Sequence, residues 1–153
     1  MQIGRKTPGT KALRVGRHSE KNRPYLVTFI TAGRVKWLQD LTLARIVCGV
    51  LNQTKYHSTL CYVVMPDHVH WLLVLKQDVC LSKVVGFTKS SSALQINARL
   101  QRSGKFWQAG FHDRALRQEE DLLQVSRYVI ANPLRAGLCQ TVGEYPHWDA
   151  IWL

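Results

Sequence analysis

Residues 68–75, His-Val-His-Trp-Leu-Leu-Val-Leu, constrain the fold more than any other stretch of the chain. They are preceded by Thr59-Leu-Cys-Tyr-Val-Val-Met65 and separated from it by Pro66-Asp67. Two apolar, β-branched runs of strand length across a short turn predict a hairpin. The apolar residues on both sides of residue 70 make the second run a buried central strand. Strand alternation then puts His68 and His70 on one face and Val69 and Trp71 on the other. Two imidazoles presented side by side suit chelation of one metal ion. They are equally well accounted for by hydrogen bonds or by exposure at the strand end, and the spacing alone does not decide.

The remaining elements follow from periodicity. Tyr25–Thr31 is rich in β-branched and aromatic residues and reads as a strand. Residues 38–55 place Leu38, Leu41, Ala44, Val47 and Leu51 at helical spacing, with Asp40 in the first turn. Residues 81–101 predict a long helix with Leu81, Val84, Val85, Thr88, Ala93, Ile96 and Leu100 inward. Phe106–Leu116 is extended and holds a fourth strand. Residues 119–132 form a last helix that Pro133 stops, because a residue before proline is pushed out of the α region. The order β-α-β-β-α-β-α predicts an α+β fold of ferredoxin-like, split βαβ plan, an antiparallel sheet with helices packed on one face. A single domain, 25–153, follows a basic arm, 1–24.

Charge gives the first functional indication. Lys and Arg total 21 against 10 acids, a net charge of +11. Such an excess leaves cations without acidic partners and favours a polyanion, nucleic acid ahead of a membrane surface. The arm carries Arg5, Lys6, Lys11, Arg14, Arg17, Lys21 and Arg23 against Glu20 alone. Further along, Lys83, Lys89, Arg99, Arg102, Lys105, Arg114, Arg117, Arg127 and Arg135 are interleaved with Phe106, Trp107 and Phe111. Cations beside flat rings suit single strands, whose phosphates and bases both need partners; Phe106 and Trp107 are equally suited to a core. Arg14, Arg17, Lys21, Lys89, Arg114, Arg117, Arg127 and Arg135 are the candidate DNA-binding residues. No apolar run approaches the roughly 18–20 residues a membrane span needs, and a cytoplasmic location is expected. Cys48, Cys61, Cys80 and Cys139 form no CxxC pair and read as small core residues.

Tyr128 and Asn132 are one turn apart on the last helix, at the edge of its apolar stripe. From there a phenolic oxygen and an amide oxygen can reach the end of the sheet. A tyrosine so placed is also ordinary packing, and an asparagine before proline is a common cap. Glu119, Glu120 and Asp121 suit the first turn of this helix better than a second metal site.

Three blocks in order resemble a known family: Tyr62-Val-Val-Met-Pro-Asp-His-Val-His-Trp-Leu-Leu, then Phe106-Trp-Gln-Ala-Gly-Phe-His-Asp-Arg, then Arg127-Tyr-Val-Ile-Ala-Asn-Pro-Leu-Arg-Ala-Gly-Leu. They are similar to the one-tyrosine HUH transposases, and the Asn-Pro-Leu-Arg-Ala-Gly-Leu run to their REP-associated branch. The resemblance covers about Tyr25 to Trp148. It departs at Asp67, where the family more often has Asn, and at Leu134, where Val is commoner. It implies His68 and His70 as metal ligands, Asn132 as a third ligand, magnesium or manganese as the metal, and Tyr128 as the nucleophile. His112 is a possible proton shuttle. The implied partner is a single-stranded DNA hairpin with a flanking tetranucleotide read partly by the N-terminal region. A monomer is expected, with a dimer the alternative, and no nucleotide cofactor. A hairpin-binding protein without cleavage and an RNA-binding module of ferredoxin-like shape are the competing readings.

Overall fold

The computed structural model describes residues 19–53, 55–76, 78–117 and 120–152. Most of the basic arm, including Arg14 and Arg17, lies outside them. Its last residues are packed on the domain: Ser19 Oγ accepts from Leu81 N–H at 2.8 Å, and Asn22 N–H donates to Leu75 O at 3.1 Å.

The hairpin forms as expected. Strands β2 (His57–Val64) and β3 (His68–Leu75) pair antiparallel, and Met65 N–H closes the turn onto His68 O at 2.8 Å. Strand β1 (Pro24–Ile30) pairs with the other side of β3, so β3 is central. Strand β4 (His112–Ala115) adds to β1. A fifth strand, β5 (Trp148–Ala150), adds to β2; three residues are too short for a periodic pattern to announce them. The order β4-β1-β3-β2-β5, antiparallel throughout, is the ferredoxin-like arrangement with one extra edge strand.

Helices α1 (Leu41–Leu51) and α2 (Leu81–Leu100) cover one face of the sheet. Under them lie Val27, Phe29, Val69, Trp71, Leu73 and Leu75, the odd-numbered residues of β1 and β3. The indole of Trp71 is fully buried and donates to Thr59 Oγ1 at 3.0 Å, which satisfies its N–H. A ring of this size in a filled core is worth on the order of 3–5 kcal/mol. Asp40 is not inside α1 but caps it, accepting from Thr42 N–H and Leu43 N–H.

Helix α3 (Leu122–Ile130) lies on the opposite face, not with the other two. Its Val129 and Ile130 pack on Cys61, Val63, Met65 and Leu72. The physical reason is in β3 itself, where Leu72 and Leu73 point to opposite sides and both are fully buried. A strand apolar on both faces needs cover on both. The two faces thus divide the work: a layer of two helices covers one side, and a single helix partly covers the other.

The end of α3 also differs from expectation. The helix breaks at Ala131, and Pro133 opens a second short helix, α4 (Asn132–Arg135). Proline is tolerated in a first helical turn, where its missing N–H has no partner to lose. The start differs too: Asp121 caps α3 through Leu123 N–H and Gln124 N–H, and Glu120 precedes the helix. Glu119 lies outside the described residues.

Candidate active site

The face under α3 carries the two histidines. Cross-strand pairing lines up His112, Thr28, His70 and Val63 in one row, and places Ile30 opposite His68. The rings of His68 and His70 stand 4.8 Å apart between centroids, nearly perpendicular.

Each imidazole is fixed by its own partner. Asp67 Oδ1 lies 2.6 Å from His68 Nδ1, and Thr28 Oγ1 lies 2.9 Å from His70 Nδ1. The Asp67 backbone is held in turn, its carbonyl accepting from Thr31 N–H at 2.9 Å. Arg34 approaches the other carboxylate oxygen at 3.5 Å. Burial opposes ionisation of Asp67, but the hydrogen bond and charge of His68, with Arg34, outweigh it and hold the carboxyl below its ordinary value. Burial, then the charges of His68 and Arg135, push His70 down to about 4. A neutral imidazole with Nδ1 engaged offers Nε2 to an electrophile. In both rings Nδ1 is the nitrogen engaged. Asp67 and Thr28 were not among the site residues expected from sequence; a threonine inside an apolar strand, across from a histidine, was the available signal.

Helix α3 supplies the phenol. Ser126, Val129 and Ile130 turn toward the sheet, and Tyr128 lies on the outward side of the helix, 65% exposed, not at the edge of the apolar stripe as the sequence suggested. The Arg135 guanidinium lies 3.8 Å from its ring centroid and donates to the Tyr128 carbonyl at 2.6 Å. Asn132 Nδ2 donates to Val129 O at 2.8 Å. That carbonyl is the acceptor that the missing N–H of Pro133 would have used in a continuous helix. The amide nitrogen is thereby spent, and Oδ1 is left. Among the described residues no three His, Cys, Asp or Glu side chains cluster to hold a metal.

The expected DNA contacts divide. Lys21, Arg117 and Arg127 are exposed. Arg114 pairs with Glu120 at 2.6 Å. Lys89 is committed inside the fold, donating to Gln108 O and Gly110 O at 2.7 and 2.6 Å. Phe106, Trp107 and Phe111 are buried, so these rings are core and not a stacking platform. His112 is exposed on the same face as His70, with β1 between them, about 10 Å away by strand spacing. No helix among the described residues is long and apolar enough to cross a membrane.

Residues 20–132 match the family model described as transposase, IS200-like. A protein of Haemophilus influenzae that bears the name of the REP-associated tyrosine transposases is 25% identical over 109 residues, 63% of this chain and 62% of its own length. The fold matches a REP-associated tyrosine transposase solved bound to a REP hairpin, with a TM-score of 0.70 at 20% identity, over 86% of this chain and 79% of the other. It also matches a candidate transposase of Deinococcus radiodurans R1, with a TM-score of 0.53 at 22% identity, over 74% and 93%.

Proposed function

Since the chain belongs to the IS200-like transposase family, we propose that it is a REP-associated tyrosine transposase that cuts and rejoins single-stranded DNA hairpins through Tyr128. The observation that carries this reading is the matched pair of imidazoles, each held at Nδ1, on the sheet face that also receives the helix of an exposed tyrosine. The REP hairpin bound to a structural relative supports a DNA hairpin as partner. The exposed cations Lys21, Arg117 and Arg127 supply phosphate contacts, and the N-terminal region reads the flanking bases.

The donor set fits a divalent ion: Nε2 of His68, Nε2 of His70 and Oδ1 of Asn132. Magnesium or manganese held there would polarise the scissile phosphate and lower the cost of its growing negative charge. The rest is the work of side chains. Tyr128 Oη attacks phosphorus, the new P–O bond forms as the P–O3′ bond breaks, and the electron pair leaves with the 3′ oxygen. The phenolic proton passes to a base, for which His112 is the candidate on this face, and the 3′ oxygen takes up a proton returned through solvent and is released as a hydroxyl. A second 3′-hydroxyl then displaces Tyr128 by the reverse chemistry. One phosphoester replaces another, so no nucleotide cofactor is required.

The test uses the full chain with manganese and labelled single-stranded oligonucleotides carrying hairpins from repeats that flank the gene. The expected result is a covalent protein–DNA adduct that survives denaturation. Tight hairpin binding with no adduct would replace this reading with that of a binding-only protein, and preference for RNA hairpins would replace it with an RNA-binding module.

A further inference from the structure

We infer that Arg135 is a positioning residue that holds the Tyr128 ring in place, and not one of the cations that contact the DNA backbone. This rests on Tyr128 acting as proposed above, but its structural half stands alone. The side chain makes two contacts to the same residue: its guanidinium carbon lies over the ring, 3.8 Å from the centroid, and its Nη2 donates to the backbone carbonyl at 2.6 Å. A single carbonyl contact would only tie α4 to α3. The ring contact adds control over the side-chain torsion of an otherwise exposed phenol.

The geometry explains why the chain breaks where it does. Arg135 lies seven residues after Tyr128, two turns on in a continuous helix and so too far along the axis to lie flat on that ring. The interruption at Ala131, followed by the restart at Asn132–Arg135, brings the guanidinium back over the end of α3. Pro133 enforces the break, and Asn132 Nδ2 satisfies the carbonyl left over at Val129.

A flat, delocalised cation is needed for this, because a lysine ammonium cannot cover a ring face while donating to a carbonyl. A phosphate contact, by contrast, is largely restored by lysine. The two roles are thus separable with Arg135→Lys and Arg135→Ala. The first measurement is nitration of Tyr128 by tetranitromethane in the full-length protein without DNA, quantified on the Tyr128 peptide by mass spectrometry. Severalfold faster nitration in both variants than in the wild type is expected; equal rates in all three proteins overturn the clamp. The second measurement is adduct formation in single turnover with manganese and the hairpin oligonucleotides. Both variants are expected to bind hairpin within about twofold of wild type, with an unchanged salt slope. Their adduct rate is expected to fall at least tenfold. Recovery of the rate by lysine, or a salt slope reduced by about one phosphate contact in the alanine variant, makes Arg135 a backbone contact and overturns the inference. If the wild type forms no adduct, the cleavage reading falls, and the nitration result still decides the clamp.

Discussion

Asp67 and His68 are neighbours in sequence whose side chains face each other, with the carboxylate 2.6 Å from Nδ1 of the ring. The turn that joins β2 to β3 thus also orients the first imidazole, by a charged partner where the second has only a hydroxyl. Asp67→Asn keeps an acceptor for the ring but removes the charge. Its manganese affinity, measured by titration calorimetry, is expected to fall by about tenfold, the usual effect of weakening such a partner. An unchanged affinity would remove Asp67 from the site.

The depressed proton affinity of His70 has a consequence for stability in acid. As pH falls through 6.5, the unfolded chain protonates this ring, whereas the folded chain does so only near 4. The unfolded state binds more protons in that window, so the contribution of His70 is complete above 6.5 and lost as pH falls to about 4. In full it is of order 3 kcal/mol. Urea unfolding in EDTA should show a shallower loss between pH 7 and 4.5 for His70→Asn than for the wild type. Parallel curves would contradict the shift.

Tyr128→Phe removes one exposed hydroxyl. Stability should change by no more than about 0.5 kcal/mol, hairpin binding should hold within about twofold, and the covalent adduct should vanish. An adduct of undiminished yield would assign the nucleophile elsewhere.

Lys89 illustrates a cation that serves the fold. Lys89→Ala frees the carbonyls of Gln108 and Gly110 from a charged donor, and a loss of about 1.5–3 kcal/mol is expected by urea unfolding. The salt dependence of hairpin binding should not change. A shallower salt slope would return Lys89 to the DNA-binding set.

Asn132→Ala leaves the Val129 carbonyl without its amide donor. A cost of about 1 kcal/mol is expected, together with weaker manganese binding in the same calorimetric assay. Loss of stability with full manganese affinity would confine Asn132 to a helix-end role.

The parts legible in sequence were those written in a short period. Alternation along His68–Leu75 gave the strand, its bounds and the face of each histidine, and the spacing of Leu81, Val84, Val85, Thr88 and Ile96 gave the long helix. Which face the last helix covers was hinted at only by Leu72 and Leu73 standing side by side, apolar in both directions. What escaped depends on contacts between distant segments. Thr28 meets His70 only because β1 lies against β3, and Lys89 meets Gly110 only because the loop before β4 folds back on α2. A lysine in sequence looks the same whether its charge is spent or free. Pro133 misled for a local reason: the rule that proline ends a helix holds for the interior of one, and here it begins another.

The division of labour along β3 limits how such a protein can decay. Odd positions 69, 71, 73 and 75 fill the main core, and even positions 68 and 70 present the imidazole pair on the other face. Deleting or inserting one residue there inverts the strand, taking Trp71 out of the main core and turning the two imidazoles into it, so the fold and the imidazole pair are lost together. A well-folded descendant without the imidazole pair is reached most directly by point substitution, and its genetic signature would be an intact reading frame with His68 or His70 exchanged.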